Sequence, residues 1–288
     1  MSARTATPRR PSSEGRHPPR KPVKAHMPIP QTQQQVVLQN RPVGLVDADT
    51  FRAQTAPIPA IGDDQVLVQV EMVSLDPAMR GWLNDRPSYV PPVQIGEVMR
   101  AIGIGRVVAS NADGFTTGDR VSGMMGWQQY AVFSPKALQR VPEGASTELA
   151  LGPLGMTGMT AYFGLLDVGE LQEGQTVLVS GAAGAVGSLV GQIAKIKGCT
   201  VVGTAGTDEK CRWLTDALGF DAAVNYKTAD SLSAAIKAAC PNGVDVYFDN
   251  VGGPLLDVAL TRLNRGGRIV ICGAISAYNA TSRPTGPA

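Results

Sequence analysis

Short apolar or alternating runs, separated by turn residues, fill the chain from about Val36 to Pro142. Examples are Gln65–Glu71, Ile102–Val108 and Gln129–Phe133. Runs of this length with Gly, Pro, Asn and Asp between them are typical of β-strands joined by turns. Because many short strands must close or stack to hide their edges, we expect a barrel-like or sandwich-like β domain here.

After a helical stretch around Leu149–Val168, apolar strand runs alternate with helical segments. The predicted strands are Thr176–Ser180, Thr200–Thr204, Ala222–Val224, Val244–Phe248 and Arg268–Cys272. The predicted helices run to about Lys197, from about Glu209, near Ala229–Ala239 and near Leu255–Leu263. This alternation predicts an α/β fold with a doubly wound parallel sheet. Since dinucleotide-binding sheets of this class have about six strands, we expect the chain to end before the fold is complete.

The composition is that of an ordinary globular protein, with 43% apolar and 17% charged residues among 288. No apolar run approaches the ~20 residues that cross a bilayer, and the N-terminus lacks the apolar block of a secretory signal. We therefore expect a soluble, cytoplasmic protein. Both histidines, His17 and His26, lie near the N-terminus, and the four cysteines form no CxxC pair. Zinc, triad or general-base chemistry that depends on histidine is thereby disfavoured.

Positive charge is concentrated in residues 1–30, which hold seven Lys or Arg residues against the single acid Glu14. Such a tail could touch nucleic acid or anionic lipid, or serve as a transit peptide. Seven prolines in the same stretch disfavour an amphipathic helix, so we expect a disordered extension that binds neither nucleic acid nor membrane. The predicted organisation is this tail over 1–30, a substrate domain over 31–150 and a dinucleotide-binding domain over 151–288.

A glycine-rich turn, Gly181-Ala-Ala-Gly-Ala-Val-Gly187, directly follows the first predicted strand of the parallel sheet and opens a helix. Gly181 permits the tight turn, and the small residues around Gly184 let the backbone approach a pyrophosphate. Gly187 allows close packing of helix on strand, while the helix N-terminus faces the anion. The turn therefore predicts a dinucleotide site.

The tip of the second strand indicates which dinucleotide binds. The segment Thr204–Lys210 places no carboxylate immediately at the strand end, where an NAD site would hold the ribose 2′-hydroxyl. Lys210 suits a 2′-phosphate instead, although it could be a solvated residue of the first helical turn. A cation is mildly unfavourable at that position of a helix, which favours the phosphate-binding role. We therefore expect NADP(H) as the cofactor.

Six motifs, in order, resemble the zinc-independent double-bond reductases of the medium-chain dehydrogenase/reductase family, which include the prostaglandin, curcumin and alkenal reductases. The motifs are Ser74-Leu-Asp-Pro-Ala-Met-Arg-Gly81, Gly155-Met-Thr-Gly-Met-Thr-Ala-Tyr162, Gly181–Gly187, Ala205-Gly-Thr-Asp-Glu-Lys210, Asp245-Val-Tyr-Phe-Asp-Asn-Val-Gly-Gly253 and Cys272-Gly-Ala-Ile-Ser-Ala-Tyr-Asn279. The resemblance covers roughly residues 36–288. It implies an N-terminal GroES-like barrel domain for substrate and a Rossmann domain for NADPH.

The resemblance also implies which residues contact the cofactor. Those expected to line the pyrophosphate are Ala185, Val186, Gly187 and Ser188. Lys210 and Tyr226 would hold the 2′-phosphate end, and Asn250 would contact the nicotinamide half. The segment expected to flank the nicotinamide contains Cys272, Gly273, Ala274, Ile275, Ser276 and Tyr278. A half-buried strand-end aromatic is an alternative for Tyr226, and a turn-forming role is one for Asn250 and Tyr278.

The expected reaction is hydride transfer from NADPH to the β-carbon of an α,β-unsaturated ketone or aldehyde. Zinc-dependent relatives hold their metal through Cys and His, whereas the position resembling their Gly-His-Glu reads Gly96-Glu97-Val98 here. An activated double bond needs less from the protein, because the substrate carbonyl delocalises the charge that hydride addition creates. Tyr89 and Tyr278 match family tyrosines that face this carbonyl, although either could be an ordinary partly buried tyrosine.

Other roles and partners stay open on the sequence. Candidate apolar pocket residues are Met79, Trp82, Met124, Met125 and Trp127, although Met and Trp in such runs are more often plain core. Quinone reduction would use the same nucleotide site, and a non-catalytic cofactor-binding fragment is the rival from another class. A homodimer is expected only for a complete chain, since the sixth strand commonly builds the family's dimer interface.

Overall fold

The computed structural model describes residues 28–282, so the predicted tail lies almost wholly outside the described part of the chain. The first half forms an antiparallel lobe, residues 32–140. Its elements are β1 (Thr32–Leu38), β2 (Phe51–Pro57), β3 (Val66–Val73), α1 (Met79–Trp82), β4 (Gly103–Ser110), β5 (Arg120–Gly123), β6 (Tyr130–Phe133) and β7 (Gln139–Arg140). Strands β6-β3-β4-β5-β7 make one antiparallel sheet, and β1 pairs with β2. The predicted β domain is confirmed.

Several backbone contacts attach the β1–β2 pair to the rest of the antiparallel lobe. The Val36 amide donates to Trp127 O at 2.8 Å, and Val37 forms a bridge with Val98. Alternation along β3 buries Val66 and Val68 in a core with Val107 of β4. The strands therefore hide their edges and their apolar faces together, as the pattern of short runs predicts.

Short helices lead from the antiparallel lobe to the parallel sheet. They are α2 (Thr147–Leu151) and α3 (Met156–Phe163), and α3 continues into a π-helical turn over Gly164–Val168. The Ser146 hydroxyl caps α2 by accepting a hydrogen bond from the Leu149 amide at 3.2 Å.

The second half forms a nucleotide lobe, residues 176–282, around a parallel sheet. Its elements are β8 (Thr176–Val179), α4 (Ala185–Ile196), β9 (Thr200–Ala205), α5 (Asp208–Asp216), β10 (Ala222–Asn225), α6 (Leu232–Ala239), β11 (Val244–Asp249), α7 (Pro254–Leu260) and β12 (Leu263–Ile271). The described strands lie in the order β10-β9-β8-β11-β12. Val177 and Val179 of β8 enter one apolar core and Leu178 enters another, so both faces of the sheet are covered. The doubly wound sheet is confirmed.

The sequence pattern misplaced the start of α6, which begins at Leu232 and not near Ala229, and the boundary between α7 and β12. The predicted helix over Leu255–Leu263 ends at Leu260, and β12 begins at Leu263 rather than at Arg268. The pairing of β11 with β12 is irregular near this start, with Val244 opposite Leu263 but Val246 opposite Arg268. Gly266 and Gly267 lie inside the irregular stretch and interrupt the apolar run, which hid the beginning of the strand.

Parallel strands deliver their carboxyl ends to one edge of the sheet, so the turns after β8, β9, β11 and β12 lie along that edge. Every predicted cofactor residue belongs to these turns, to the helix starts beside them or to the end of β10. Among the described residues, no helix is both long and apolar enough to cross a membrane.

Candidate active site

The turn after β8 places the backbone of Gly181 against that of Gly187, which lies in the first turn of α4. Gly181 has a φ of 57°, in the left-handed region that favours glycine. A Cβ at Gly187 would lie 2.5 Å from Gly181 O and 2.8 Å from Ala182 Cα, which are backbone atoms. Only glycine at 187 therefore lets the helix approach the strand this closely.

The N-terminus of α4 is open to an anion. Its N-cap is Gly184, which offers no side-chain hydrogen bond to the first-turn amides, and both Gly184 and Ala185 are exposed. Val186 packs partly against the core, and the Ser188 hydroxyl donates to Ala185 O at 3.3 Å. Uncapped amides and the positive end of the helix dipole suit a pyrophosphate. The residues present therefore fit the diphosphate of a dinucleotide.

The ends of β9 and β10 form a basic corner beside that turn. Thr207 caps α5 by accepting a hydrogen bond from the Lys210 amide at 3.2 Å, and the Lys210 residue is exposed. Tyr226, at the end of β10, is half exposed and reaches towards Gly206. A Cβ at Gly206 would lie 2.9 Å from the Tyr226 hydroxyl and 3.3 Å from Lys227 Cε. The Tyr226 hydroxyl and the Lys227 side chain thus lie at the tip of β9, where a 2′-phosphate would need donors and positive charge. Lys210 lies in the exposed first turn of α5 that follows, together with the acids Asp208 and Glu209.

A buried carboxylate links the turns after β8 and β11. Asp249, at the end of β11, is 1% exposed, and its Oδ1 accepts four hydrogen bonds. The donors are the Ser180 hydroxyl at 2.9 Å, the Tyr247 hydroxyl at 2.8 Å, the Val251 amide at 2.9 Å and the Gly252 amide at 2.8 Å. Burial raises the pKa of the Tyr247 phenol, with a further contribution from the Asp249 charge, so this hydroxyl stays protonated and donates.

Asn250 connects the same two turns. Its amide donates to Ser180 Oγ at 2.8 Å and its side-chain Nδ2 donates to Ser180 O at 2.7 Å. The Nδ2 group is therefore engaged within the protein, which fits the turn-forming role, and Oδ1 is the atom left for a ligand. A direct contact between Asn250 and the cofactor stays a prediction.

The segment after β12 folds back on the turn after β11. The Ser276 hydroxyl donates to Val251 O at 2.6 Å, and the Ile275 amide donates to Asn250 O at 3.4 Å. The Tyr278 oxygen accepts a hydrogen bond from the Ala274 amide at 3.3 Å and lies 3.1 Å from where a Gly273 Cβ would be. Exposed Cys272 precedes them. The structure thus brings this segment together with Asn250 and Gly181, whose Cβ position would be 3.6 Å from Asn250 Cβ.

Tyr89 belongs to the other lobe. It is 77% exposed, and its oxygen accepts a hydrogen bond from Trp82 Nε1 at 3.2 Å. It shares no hydrogen bond or ring contact with Tyr278. The structure therefore does not bring the two predicted catalytic tyrosines into contact, and the role of Tyr89 stays a prediction.

The predicted apolar pocket residues divide into two groups. Met79, Trp82 and Met125 are buried in the cores of the antiparallel lobe, so they are core residues. Met124 is exposed, and Trp127 is half-buried and packs on Phe51 with ring centroids 4.9 Å apart. Over residues 28–282, no three His, Cys, Asp or Glu side chains cluster closely enough to hold a metal ion.

Sequence reasoning missed Asp249, Ser180 and Lys227. The Phe-Asp-Asn motif drew attention to the asparagine alone. A carboxylate that ends an otherwise apolar, buried strand is the signal that could have identified Asp249, because such a group must find donors inside the protein. Lys227 follows Tyr226 directly in the sequence, but no pattern indicates that it folds towards Gly206.

Comparisons with known proteins agree with this geometry. The family model described as the N-terminal domain of oxidoreductase matches residues 34–141, and the one described as zinc-binding dehydrogenase matches residues 185–286. The NADPH-dependent curcumin reductase of Escherichia coli is 46% identical over 254 residues, covering 87% of this chain and 73% of that protein. Prostaglandin reductase 1 of Bos taurus is 47% identical, covering 83% and 72%. The 2-alkenal reductase (NADP(+)-dependent) of Nicotiana tabacum is 43% identical, covering 76% and 64%.

A solved structure extends the agreement to the fold. The crystal structure of CurA in complex with NADPH from Vibrio vulnificus superposes with a TM-score of 0.84 at 44% identity, covering 88% of this chain and 76% of that one. The curcumin and prostaglandin reductases share 46% and 47% of aligned residues with this chain over more than two thirds of their own length, which shows a close relation. The chain belongs to the medium-chain dehydrogenase/reductase family, in the branch that contains the prostaglandin and curcumin reductases.

Proposed function

We propose that the chain catalyses the NADPH-dependent reduction of the carbon–carbon double bond of α,β-unsaturated ketones and aldehydes, without zinc. The observation that carries the proposal is the edge of the parallel sheet at which the carboxyl ends of its strands meet. There an uncapped helix start, a basic corner and the Cys272–Tyr278 segment lie next to one another. The names of the relatives support the substrate class, since a 2-alkenal is an α,β-unsaturated aldehyde. NADPH, when bound, supplies the hydride that adds to the β-carbon.

The chain's own residues bind and orient the dinucleotide in this proposal. Amides of Ala185, Val186 and Gly187 donate to the pyrophosphate, and Lys210 and Tyr226 hold the 2′-phosphate. The Cys272–Tyr278 segment flanks the nicotinamide, fixed in place through its bonds to Val251 and Asn250. Gly96-Glu97-Val98 supplies no histidine for zinc. The substrate carbonyl is therefore polarised by hydrogen bonds alone.

Tyr278 is the proposed donor to the substrate carbonyl oxygen, with Tyr89 as the second candidate. In the structure the Tyr278 oxygen accepts from Ala274, and its own hydroxyl hydrogen has no acceptor among the described residues, so it can donate to a ligand. A neutral phenol suits an oxygen that gains negative charge as hydride arrives. The α-carbon then takes a proton from water or from a tyrosine.

Following the absorbance of reduced nicotinamide with three samples tests the reaction. An enone, a quinone and no acceptor are each mixed with NADPH and the purified protein. Fast oxidation with the enone alone supports the proposal. A faster rate with the quinone would assign quinone reduction instead, and folded protein that binds NADPH but oxidises it with neither acceptor would be a non-catalytic cofactor-binding protein.

Lys210→Ala is expected to raise the KM for NADPH about tenfold while leaving the KM for NADH unchanged. A charge-assisted hydrogen bond to the 2′-phosphate is worth roughly 1.5–3 kcal/mol, and NADH lacks that phosphate. Steady-state kinetics with both cofactors measure the ratio. Lys237→Ala, which removes an exposed lysine of α6, serves as the matched control. An unchanged preference for NADPH in Lys210→Ala would reject the assignment.

Tyr278→Phe is expected to slow hydride transfer about tenfold, because one hydrogen bond to a charged oxygen is lost while water can partly replace it. Anaerobic stopped-flow with excess NADPH measures this step directly. The affinity for NADPH, measured by calorimetry, serves as the control for damage to the Gly273–Ala274 turn. A normal hydride-transfer rate with normal NADPH affinity would exclude Tyr278 as the donor.

A further inference from the structure

Arg80, in α1 of the antiparallel lobe, donates hydrogen bonds to both lobes. Nη2 donates to Gly44 O at 2.8 Å and to Pro42 O at 3.2 Å, and Nη1 donates to Asn84 Oδ1 at 2.9 Å. Nε donates to Asn279 Oδ1 at 3.1 Å, across 199 positions of sequence. One guanidinium thus joins the segment 42–44, Asn84 just after its own helix, and the residue that follows Tyr278.

The segments that Arg80 joins also pack against each other. A Cβ at Gly44 would lie 3.7 Å from Thr281 Cγ2 and 3.9 Å from Asn279 O, which is ordinary van der Waals contact. Val43 and Leu45, on either side of Gly44, are 88% and 73% exposed. Within the described residues, two apolar side chains are therefore exposed beside the segment that carries Tyr278, where an apolar ligand would cover them.

We propose that Arg80 is a positioning residue that holds Val43 and Leu45 next to the Tyr278–Thr281 segment, so that the two side chains form an apolar wall for the substrate. The proposal rests on the proposed function for the identity of the ligand, an apolar enone. Arginine suits the task because its rigid fork offers five donors, whereas lysine offers a single point charge on a flexible stem. The side chain acts through the segments that it orders and need not touch the substrate.

Kinetics of Arg80→Lys and Asn279→Ala test this role. Each variant is expected to lower kcat/KM for a bulky enone on the order of tenfold, because a small displacement of the substrate costs this much or more. The KM for NADPH should change less than kcat/KM for the enone, since the Gly181–Gly187 turn and Lys210 are untouched and only the segment at the nicotinamide end is loosened. The double variant should be no worse than Arg80→Lys alone, because both changes remove the same contact.

Arg106→Lys is the matched control. Arg106 lies in β4 of the same lobe and donates to a backbone carbonyl, Gly118 O, at 3.0 Å, but within the described residues it makes no hydrogen bond to the segment 42–44 or to Asn279. It should keep the activity of the parent chain. An equal loss of activity in Arg106→Lys would show that any arginine of this lobe has the same effect, and would overturn the proposal.

Hydrogen exchange gives a readout that does not depend on turnover. In Arg80→Lys and Asn279→Ala, amides of residues 275–281 should exchange faster than in the parent chain, while those of 181–187 stay as protected. Unchanged exchange at 275–281 would overturn the positioning role. If the parent chain reduces no enone, the proposed function fails, but exchange still decides whether Arg80 orders the segment.

Discussion

Gly187→Val is expected to weaken NADPH binding by at least about a hundredfold, with a chain that still folds. A valine Cβ would meet Gly181 O at 2.5 Å and Ala182 Cα at 2.8 Å, so the helix start must move away from the strand. If α4 moves, its first-turn amides can no longer donate to the diphosphate. The loss of two charge-assisted hydrogen bonds is enough to weaken NADPH binding about a hundredfold. Calorimetric titration of NADPH measures the change.

Gly81→Ala provides the control for the glycine substitution. A Cβ at Gly81 meets nothing within 4 Å and its φ is not positive, so NADPH affinity should stay that of the parent chain. Circular dichroism of both variants shows whether the fold persists. A folded Gly187→Val chain that binds NADPH normally would contradict the assignment of the turn to the diphosphate, whatever enone activity the parent shows.

The sequence predicted the fold because each element carries its own local pattern. The β8 strand holds three consecutive buried apolar residues, Val177–Val179, since both faces of the sheet are covered. The glycine spacing of 181–187 reflects contacts within a few residues. The turns expected to bind the cofactor could be predicted from the sequence for the same reason. Their residues come directly after strands, and parallel strands end along one edge.

What the sequence did not predict depends on contacts between distant residues. Asp249 contacts Ser180 across 69 positions, and Arg80 contacts Asn279 across 199. A single sequence shows no repeating pattern that would indicate contacts over 69 or 199 positions. Met79, Trp82 and Met125 looked like pocket residues for the same reason, because burial of a long apolar side chain in one core or another is decided by packing and not by its neighbours in sequence.

The contacts of Asp249 also explain why the site needs a buried charge. The turn after β11 contains Gly252 and Gly253, both with positive φ, and α7 begins at once with Pro254. These residues offer few side chains that could satisfy their own amides. One carboxylate oxygen accepts from Val251 and Gly252 and also from Ser180, so a single group shapes two of the turns that would hold the dinucleotide.

Asp249→Ala is therefore expected to lower the free energy of unfolding by about 3 kcal/mol, because the buried hydroxyls of Tyr247 and Ser180 lose their acceptor and each costs roughly 1–3 kcal/mol. Urea unfolding followed by tryptophan fluorescence measures the loss. Asp249→Asn keeps the Oδ1 acceptor, but it places an amide where Oδ2 has no partner among the described residues. The expected order of both stability and NADPH affinity is therefore parent, Asn, Ala. If Ala and the parent unfold at the same urea concentration, the carboxylate does not organise these turns, and another contact must fix the path from β8 to β11.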